Sequence, residues 1–105
     1  MNKETILYLE EILHTGHHGP EGERKVGEKY DKRRNTYCRL IPENPQFGES
    51  VTILHYNDPE DWHSLPPVFC TFTTPFEYIT EEDKYIVMRT LNSIYRFRKE
   101  AGNGA

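Results

Sequence analysis

Residues 68–98 constrain the fold of this chain more than any other stretch. β-Branched and aromatic residues dominate it, and turn-forming groups interrupt it at 74–75, at 81–84 and at 92–93. Such residues favour pleated, half-buried strands, and short polar interruptions favour tight reversals. The stretch therefore predicts a three-stranded antiparallel meander.

Residues 3–14 have the spacing of an amphipathic helix. Ile6, Leu9 and Leu13 fall on one stripe of a helical projection, and Ile12 widens that stripe. Gly16 follows where a left-handed helix C-cap is expected. We expect a helix over 3–14 that packs on a sheet or against another subunit.

Further strand patterns fill the rest of the chain. We expect strands at 25–30, 35–41, 51–56, 68–74, 77–79, 85–90 and 93–98. The fold class predicted is α+β, with the N-terminal helix followed by a small antiparallel barrel or curved sheet of five to six strands. One domain spans 1–105, with a β-rich core over 24–98 and a frayed tail over 99–105.

The charge and hydropathy of the chain limit its partners and location. The net charge is −4, from 17 acidic and 13 basic residues, which has the wrong sign for a general nucleic-acid binder. No apolar run approaches the ~20 residues of a membrane helix, and the acidic start of the chain is unlike a signal peptide. We expect a cytoplasmic protein, without a membrane partner, in which Cys38 and Cys70 are reduced.

Cations gather in the segment 29–39. They are Lys29, Lys32, Arg33, Arg34 and Arg39. One interpretation is an ordinary solvated face, and the other is a basic lobe for a phosphate-bearing partner. The second interpretation allows a nucleic-acid-binding accessory domain.

The sequence gives little support for catalysis or a metal site. His14, His17 and His18 cluster after the predicted helix, but no second ligand pair lies at a zinc-binding spacing. Cys70 lies in a hydrophobic run, which indicates a buried and unreactive thiol. We therefore expect no enzyme, no catalytic residue, no metal and no cofactor, and a metal-dependent hydrolase is the least favoured class.

The predicted hairpin at Asn92 and Ser93 has two interpretations. Asn tolerates the left-handed conformation of a tight turn, so the pair forms the reversal between two strands. Alternatively the tip binds a polar ligand, with arginines for phosphates and an aromatic stacking face. The candidate ligand-binding residues are Arg39, Phe76, Arg89, Thr90, Asn92, Ser93, Tyr95 and Arg96.

A homo-oligomer is also expected, most simply a dimer, because a short chain with a wide apolar helix gains by sharing surfaces. The single tryptophan lies in an acidic loop, where it anchors an interface or folds back to plug the barrel end. The candidate interface residues are Ile6, Leu9, Ile12, Leu13 and Trp62.

One short pattern has a family resemblance. Thr90, Asn92, Ser93, Tyr95 and Phe97 form a Thr-x-Asn-Ser-x-Tyr-x-Phe run. This run resembles the closing strands of small phage and prophage proteins, over about a third of the chain. Those proteins carry an earlier Thr-Ser-x-Val-like step, whereas residues 73–76 here read Thr-Thr-Pro-Phe.

The resemblance implies a non-enzymatic phage or mobile-element protein that acts in counter-defence as an inhibitor or sponge. Such a protein would be similar in kind to the sponges that sequester the cyclic ADP-ribose-type signal of Thoeris defence. The partner expected is a small nucleotide signal, slightly favoured, or a host protein. The alternative is the nucleic-acid-binding domain that uses the segment 29–39.

Overall fold

The computed structural model describes residues 6–17, 19–25, 27–61 and 64–100. It contains one sheet of seven antiparallel strands, in the order β4-β3-β2-β1-β7-β6-β5. The elements are β1 (Ile6–His14), α1 (Glu28–Asp31), β2 (Thr36–Ile41), β3 (Thr52–Tyr56), β4 (Phe69–Phe72), β5 (Phe76–Glu81), β6 (Tyr85–Thr90) and β7 (Ser93–Glu100). The predicted α+β class is therefore wrong, because the described chain is nearly all β.

The predicted N-terminal helix over 3–14 is wrong, because β1 is the central strand of the sheet and pairs with β2 and β7. A register shift between Leu9 and Glu11 makes Glu10 an extra, bulged residue. The bulge resets the alternation of the strand, so Leu9 and Ile12 both enter the core although they lie three residues apart. A spacing of three is also the spacing of a helix, which explains the error.

Two further segments, 25–30 and the C-terminal end, differ from the prediction. The strand predicted at 25–30 is wrong, because Glu28–Asp31 forms α1 and Gly27 interrupts the extended chain with a φ of 115°. The tail predicted to fray from 99 is ordered through Glu100, the last residue of β7. Residues 101–105 lie outside the described part of the chain.

The sheet is strongly curved. Seven flat strands, with six spacings of about 4.8 Å, would hold the outermost strands about 29 Å apart. The two outermost strands β4 and β5 are joined by only three residues, 73–75, which span at most about 14 Å. The Phe76 N–H donates to the Glu49 carbonyl at 2.7 Å, and the Gly48 N–H donates to the Phe76 carbonyl at 2.8 Å. The edges thus approach each other at one end, but the sheet stays open, so of the two predicted forms it is a curved sheet and not a closed barrel.

The core lies on the concave face of this curved sheet. Alternation along β6 shows it: Ile86 and Met88 are fully buried, whereas Val87 and Arg89 are partly exposed on the convex face. Tyr30 of α1 packs against the same cluster. The core residues are Leu7, Leu9, Ile12, Cys38, Leu40, Val51, Ile53, Phe76, Ile86, Met88, Tyr95 and Phe97.

None of the helices in the described part of the chain has the length and apolar character needed to cross a membrane.

Candidate functional site

The residues predicted to bind a ligand do not converge. The sheet separates them into a buried concave group and a convex group. Phe76, Thr90, Ser93 and Tyr95 are buried on the concave side, Arg39, Arg89 and Arg96 lie on the convex face, and Asn92 lies in the β6–β7 turn. A single ligand therefore cannot reach all of them.

The hairpin tip is occupied by internal hydrogen bonds. Thr90 Oγ1 accepts from the Ser93 N–H at 3.3 Å and from Thr74 Oγ1 at 3.1 Å. The Asn92 N–H donates to Thr74 Oγ1 at 3.1 Å, and Lys25 Nζ donates to Ser93 Oγ at 2.6 Å. These bonds favour the structural interpretation of the hairpin motif.

The backbone of the turn also differs from expectation. Among the described non-glycine residues, the left-handed conformation occurs at Asn35, with a φ of 60°, and not at Asn92. Asn35 precedes β2, and its N–H donates to the Leu9 carbonyl at 2.7 Å. The asparagine that adopts the positive φ is thus the one directly before β2, beside the central strand.

The convex arginines have partners within the chain. Arg89 Nε donates to Glu77 Oε1 at 3.1 Å, and Glu77 is the extra residue of a bulge in β5. The Arg96 guanidinium lies 4.0 Å from the ring centroid of Tyr85. Arg39 lies 3.9 Å from the carboxylate of Glu43. These contacts stabilise a sheet face that has no second layer of secondary structure over it in the described chain.

A row of tyrosines crosses the convex face. Tyr56, Tyr37, Tyr8, Arg98 and Tyr85 occupy paired positions on five adjacent strands. The Tyr8 and Tyr37 rings meet edge to face at 5.1 Å, and the Arg98 guanidinium covers the Tyr8 ring at 4.7 Å. Arginines cover Tyr8 and Tyr85, and Tyr56 is buried, so these three tyrosines do not offer open stacking faces for bases.

The predicted interface residues are also dispersed. Leu9 and Ile12 are fully buried in the core, so no helical face of Ile6, Leu9, Ile12 and Leu13 exists. Leu13 is partly exposed on the convex face. Trp62 lies outside the described residues. The expected oligomer stays a prediction.

A basic depression lies between α1 and β4. Its volume is about 540 Å³. It is lined by Glu28, Lys29, Lys32, Arg33, Phe69 and Cys70. Lys32 forms an exposed ion pair with Glu28 at 3.4 Å. Lys29 and Arg33 form no ion pair with any described residue, so the depression has uncompensated positive charge.

The short helix fixes the positions of these cations. Tyr30 anchors α1 on the core, and the Arg33 N–H donates to the Tyr30 carbonyl at 3.0 Å. The Arg33 guanidinium lies 5.3 Å from the Tyr30 ring centroid, a cation–π distance. Lys29 and Arg33 are four residues apart, which places them on one side of the helical segment. The positive charges are thus held toward β4.

Arg34 extends the basic segment into the interior. Its side chain is 8% exposed, and Nη1 donates to Asp31 Oδ1 at 2.6 Å. Its Nε and Nη2 atoms are buried without a hydrogen-bond partner. The Asp31 carboxylate compensates the charge of Arg34, which does not line the depression, so Arg34 adds no free charge there.

The aromatic wall of the depression is rigid. Phe69 stacks on His55, with ring centroids 4.4 Å apart and planes at 22°. The two His55 nitrogens lie 2.8 Å from Thr36 Oγ1 and 2.7 Å from Thr71 Oγ1, so one donates and the other accepts. Burial, reinforced by the positive charge of Arg33, lowers the pKa of His55 to about 4. The imidazole is therefore neutral at physiological pH.

One thiol–imidazole pair lies beneath the depression, but it cannot act as a nucleophile. Cys38 Sγ is 3.6 Å from His55 Nδ1. Burial raises the pKa of Cys38 to about 12, while His55 stays neutral, and both side chains are almost completely buried. A catalytic thiol needs a thiolate that substrate can reach. The pair is therefore part of a buried polar network that joins β2, β3 and β4.

The described residues bring together no group of three His, Cys, Asp or Glu side chains that could hold a metal. His18 of the predicted histidine cluster lies outside the described residues.

Sequence reasoning identified the basic segment 29–39 but missed its neighbours. Phe69 and Cys70 join Lys29 and Arg33 only through strand pairing across a large sequence separation. The available signal was the uncharged composition of residues 65–76, which marks that segment as distinct from the polar loops around it.

No family model, curated protein sequence or solved structure is significantly similar to this chain.

Proposed function

We propose that this protein is a non-enzymatic binding protein that takes an anionic partner at the basic depression. The observation that carries the proposal is the convergence of Lys29, Lys32 and Arg33 beside Phe69, on a chain whose net charge is −4. Positive charge that is concentrated at one place of an acidic protein attracts an oppositely charged partner there.

The shape of the depression supports a macromolecular partner. Small-molecule sites usually enclose most of the ligand surface in a cleft. This depression lies open at the edge of a sheet, between one helical turn and β4. An acidic segment of a host protein fits such a surface better than the small nucleotide signal expected from the sequence. The phage and counter-defence role stays a prediction.

Binding of labelled heptaglutamate to the full chain tests the proposal. We expect an affinity that falls as salt is raised, because the contact is electrostatic. Lys29→Glu should weaken binding about fivefold, which corresponds to about 1 kcal/mol for one exposed charge contact.

Lys84→Glu is the matched control, because Lys84 is exposed between β5 and β6 and outside the depression. Equal weakening by both substitutions, or binding that does not respond to salt, would contradict the proposed site. Binding of a seven-nucleotide single strand in place of heptaglutamate would instead support the nucleic-acid alternative that uses the segment 29–39.

A further inference from the structure

The strand β4 is a short edge of the sheet, flanked by Pro66, Pro67 and Pro75, and its own four residues include no proline and no charge. It is the first strand in the sheet order, and residues 65–76 contain no charged side chain. Its register with β3 runs without a shift from Phe69 to Phe72, and directly before β4 the Val68 N–H donates to the His55 carbonyl at 2.8 Å. Val68 and Phe72 are 50% and 79% exposed. Natural edge strands usually carry charges, prolines or bulges that prevent another strand from adding.

The free main-chain groups of β4 can be assigned from the ladder. The Thr73 N–H donates to the Val51 carbonyl at 2.9 Å. Hydrogen-bonded positions alternate along an antiparallel pair, so the main-chain groups of Phe69 and Thr71 point to β3. Those of Cys70 and Phe72 point outward. Cys70 also lines the basic depression, so the free edge and the positive charges adjoin.

We infer that β4 accepts an extended acidic segment of a partner protein as an added strand, with main-chain hydrogen bonds to Cys70 and Phe72 and acidic side chains directed into the basic depression. This inference rests on the proposed function and names its partner. Strand addition takes its affinity from main-chain bonds and its specificity from alternate side chains. The partner segment should alternate acidic and apolar residues.

The alternation of acidic and apolar residues in the partner segment follows from the two faces of the sheet at β4. On the concave side an added strand meets Phe69 and the cations of the basic depression, which suit carboxylates. On the convex side it meets Phe72, which is 79% exposed and suits an apolar side chain. Successive residues of the added strand point to these two sides in turn.

A second copy of this chain suits the edge less well. A two-fold axis through Cys70 would pair Val68 of one copy with Phe72 of the other, which is favourable for the apolar side chains. The same axis would bring two basic depressions together, and like charges would then face each other across the pair. Charge complementarity therefore favours an acidic partner.

The test uses the full chain and the peptide acetyl-Thr-Val-Glu-Val-Glu-Val-Thr-amide, with binding followed by fluorescence anisotropy. Cys70→Pro removes an outward N–H and leaves the bonds to β3 in place, as edge prolines do. It should weaken binding at least tenfold. Cys70→Ser keeps the N–H and shows how much of the loss comes from the side chain, so the proline variant should bind at least tenfold more weakly than the serine variant.

A peptide that is N-methylated at its central valine and both glutamates gives a second test, which does not depend on the fold of the proline variant. This peptide keeps its charge but loses main-chain donors, and we expect its affinity to fall at least tenfold. A peptide with lysine in place of both glutamates should also bind at least tenfold more weakly.

The outcomes separate the two proposals. Binding lost with Cys70→Pro and with N-methylation supports strand addition. Binding that survives both changes but is weakened by Lys29→Glu overturns strand addition and leaves the proposed function standing. Absence of any salt-dependent peptide binding overturns both. A concentration-dependent dimer that Cys70→Pro dissociates would assign the edge to a second copy and overturn the acidic partner.

Discussion

The two edge strands of this sheet, β4 and β5, differ in the features that hinder another strand from pairing with their free main-chain groups. β5 carries a bulge at Glu77 and ends at a further acidic residue, Glu81, which Glu82 follows. β4 has an even register, no charge and a basic helical turn beside it. Bulges and charges hinder edge pairing, and their absence permits it. The contrast supports the inference that β4, and not β5, accepts an added strand.

The two edges are also anchored differently. β4 is joined to β3 by the buried contacts of His55 with Thr71 and Phe69. β5 is anchored by the apolar side chains of Phe76 and Ile79 in the core and by the Arg89–Glu77 ion pair, whose side chains are about one-third exposed. A buried polar network is costly to break, whereas an exposed ion pair contributes little. A change of pH or a substitution should therefore change stability to a different extent at β4 and at β5.

The largest expected effect is the acid sensitivity of the β4 side. The His55 pKa is about 4 in the folded chain and 6.5 as its ordinary value. Between these values the unfolded chain binds the extra proton, so stability should fall as the pH drops from 6.5 to 4. The free energy of unfolding should fall by about 3 kcal/mol, because a pKa difference of one unit corresponds to about 1.36 kcal/mol.

Urea unfolding across that pH range measures this loss. His55→Gln should flatten the pH dependence, because glutamine does not titrate. Hydrogen exchange should show β3 and β4 opening before β5 and β6 as the pH falls. Equal opening of both edges would contradict the difference between them.

A smaller effect is expected from removing one hydroxyl on each side of the sheet. Thr71→Val leaves a His55 nitrogen buried without its partner and should lower the free energy of unfolding by about 1–3 kcal/mol. Thr80→Val on β5 makes the same chemical change at an exposed position and should stay within about 0.5 kcal/mol. Urea titrations of the two variants compare them directly.

The smallest stability effect is expected at the free edge itself. Phe72 is 79% exposed, so Phe72→Lys should change the free energy of unfolding by no more than about 0.5 kcal/mol. It should nevertheless weaken binding of the alternating peptide, because a lysine on an edge strand opposes pairing. A large loss of stability would show that Phe72 packs inside the protein.

The C-terminal strands were predictable because their signals are local. Strand β6 matches the predicted bounds 85–90, and β7 begins at the predicted Ser93. Alternating burial and short turns lie within a few residues of each other there. The prediction of a helix over 3–14 was wrong because the bulge at Glu10 in β1 gives Leu9 and Ile12 a helical spacing. Only the neighbouring strands reveal that the segment is extended.

The site was predictable only in part. The basic segment containing Lys29 and Arg33 was visible as a run of like charges. Its placement beside Phe69 depends on the curvature of the sheet, which no short pattern encodes. The polar groups of Asn92 and Ser93 suggested a ligand site because the sequence does not show that they already have partners. Those partners, Thr74 and Lys25, come from distant parts of the chain.

Amide hydrogen exchange at single residues, with and without the alternating acidic peptide, tests most directly that β4 is the available edge. The peptide should slow exchange at Cys70 and Phe72, whose N–H groups point outward, and should leave Thr71 and the β5 amides unchanged. Slowed exchange on β5, or a peptide that binds without protecting Cys70 and Phe72, would contradict it.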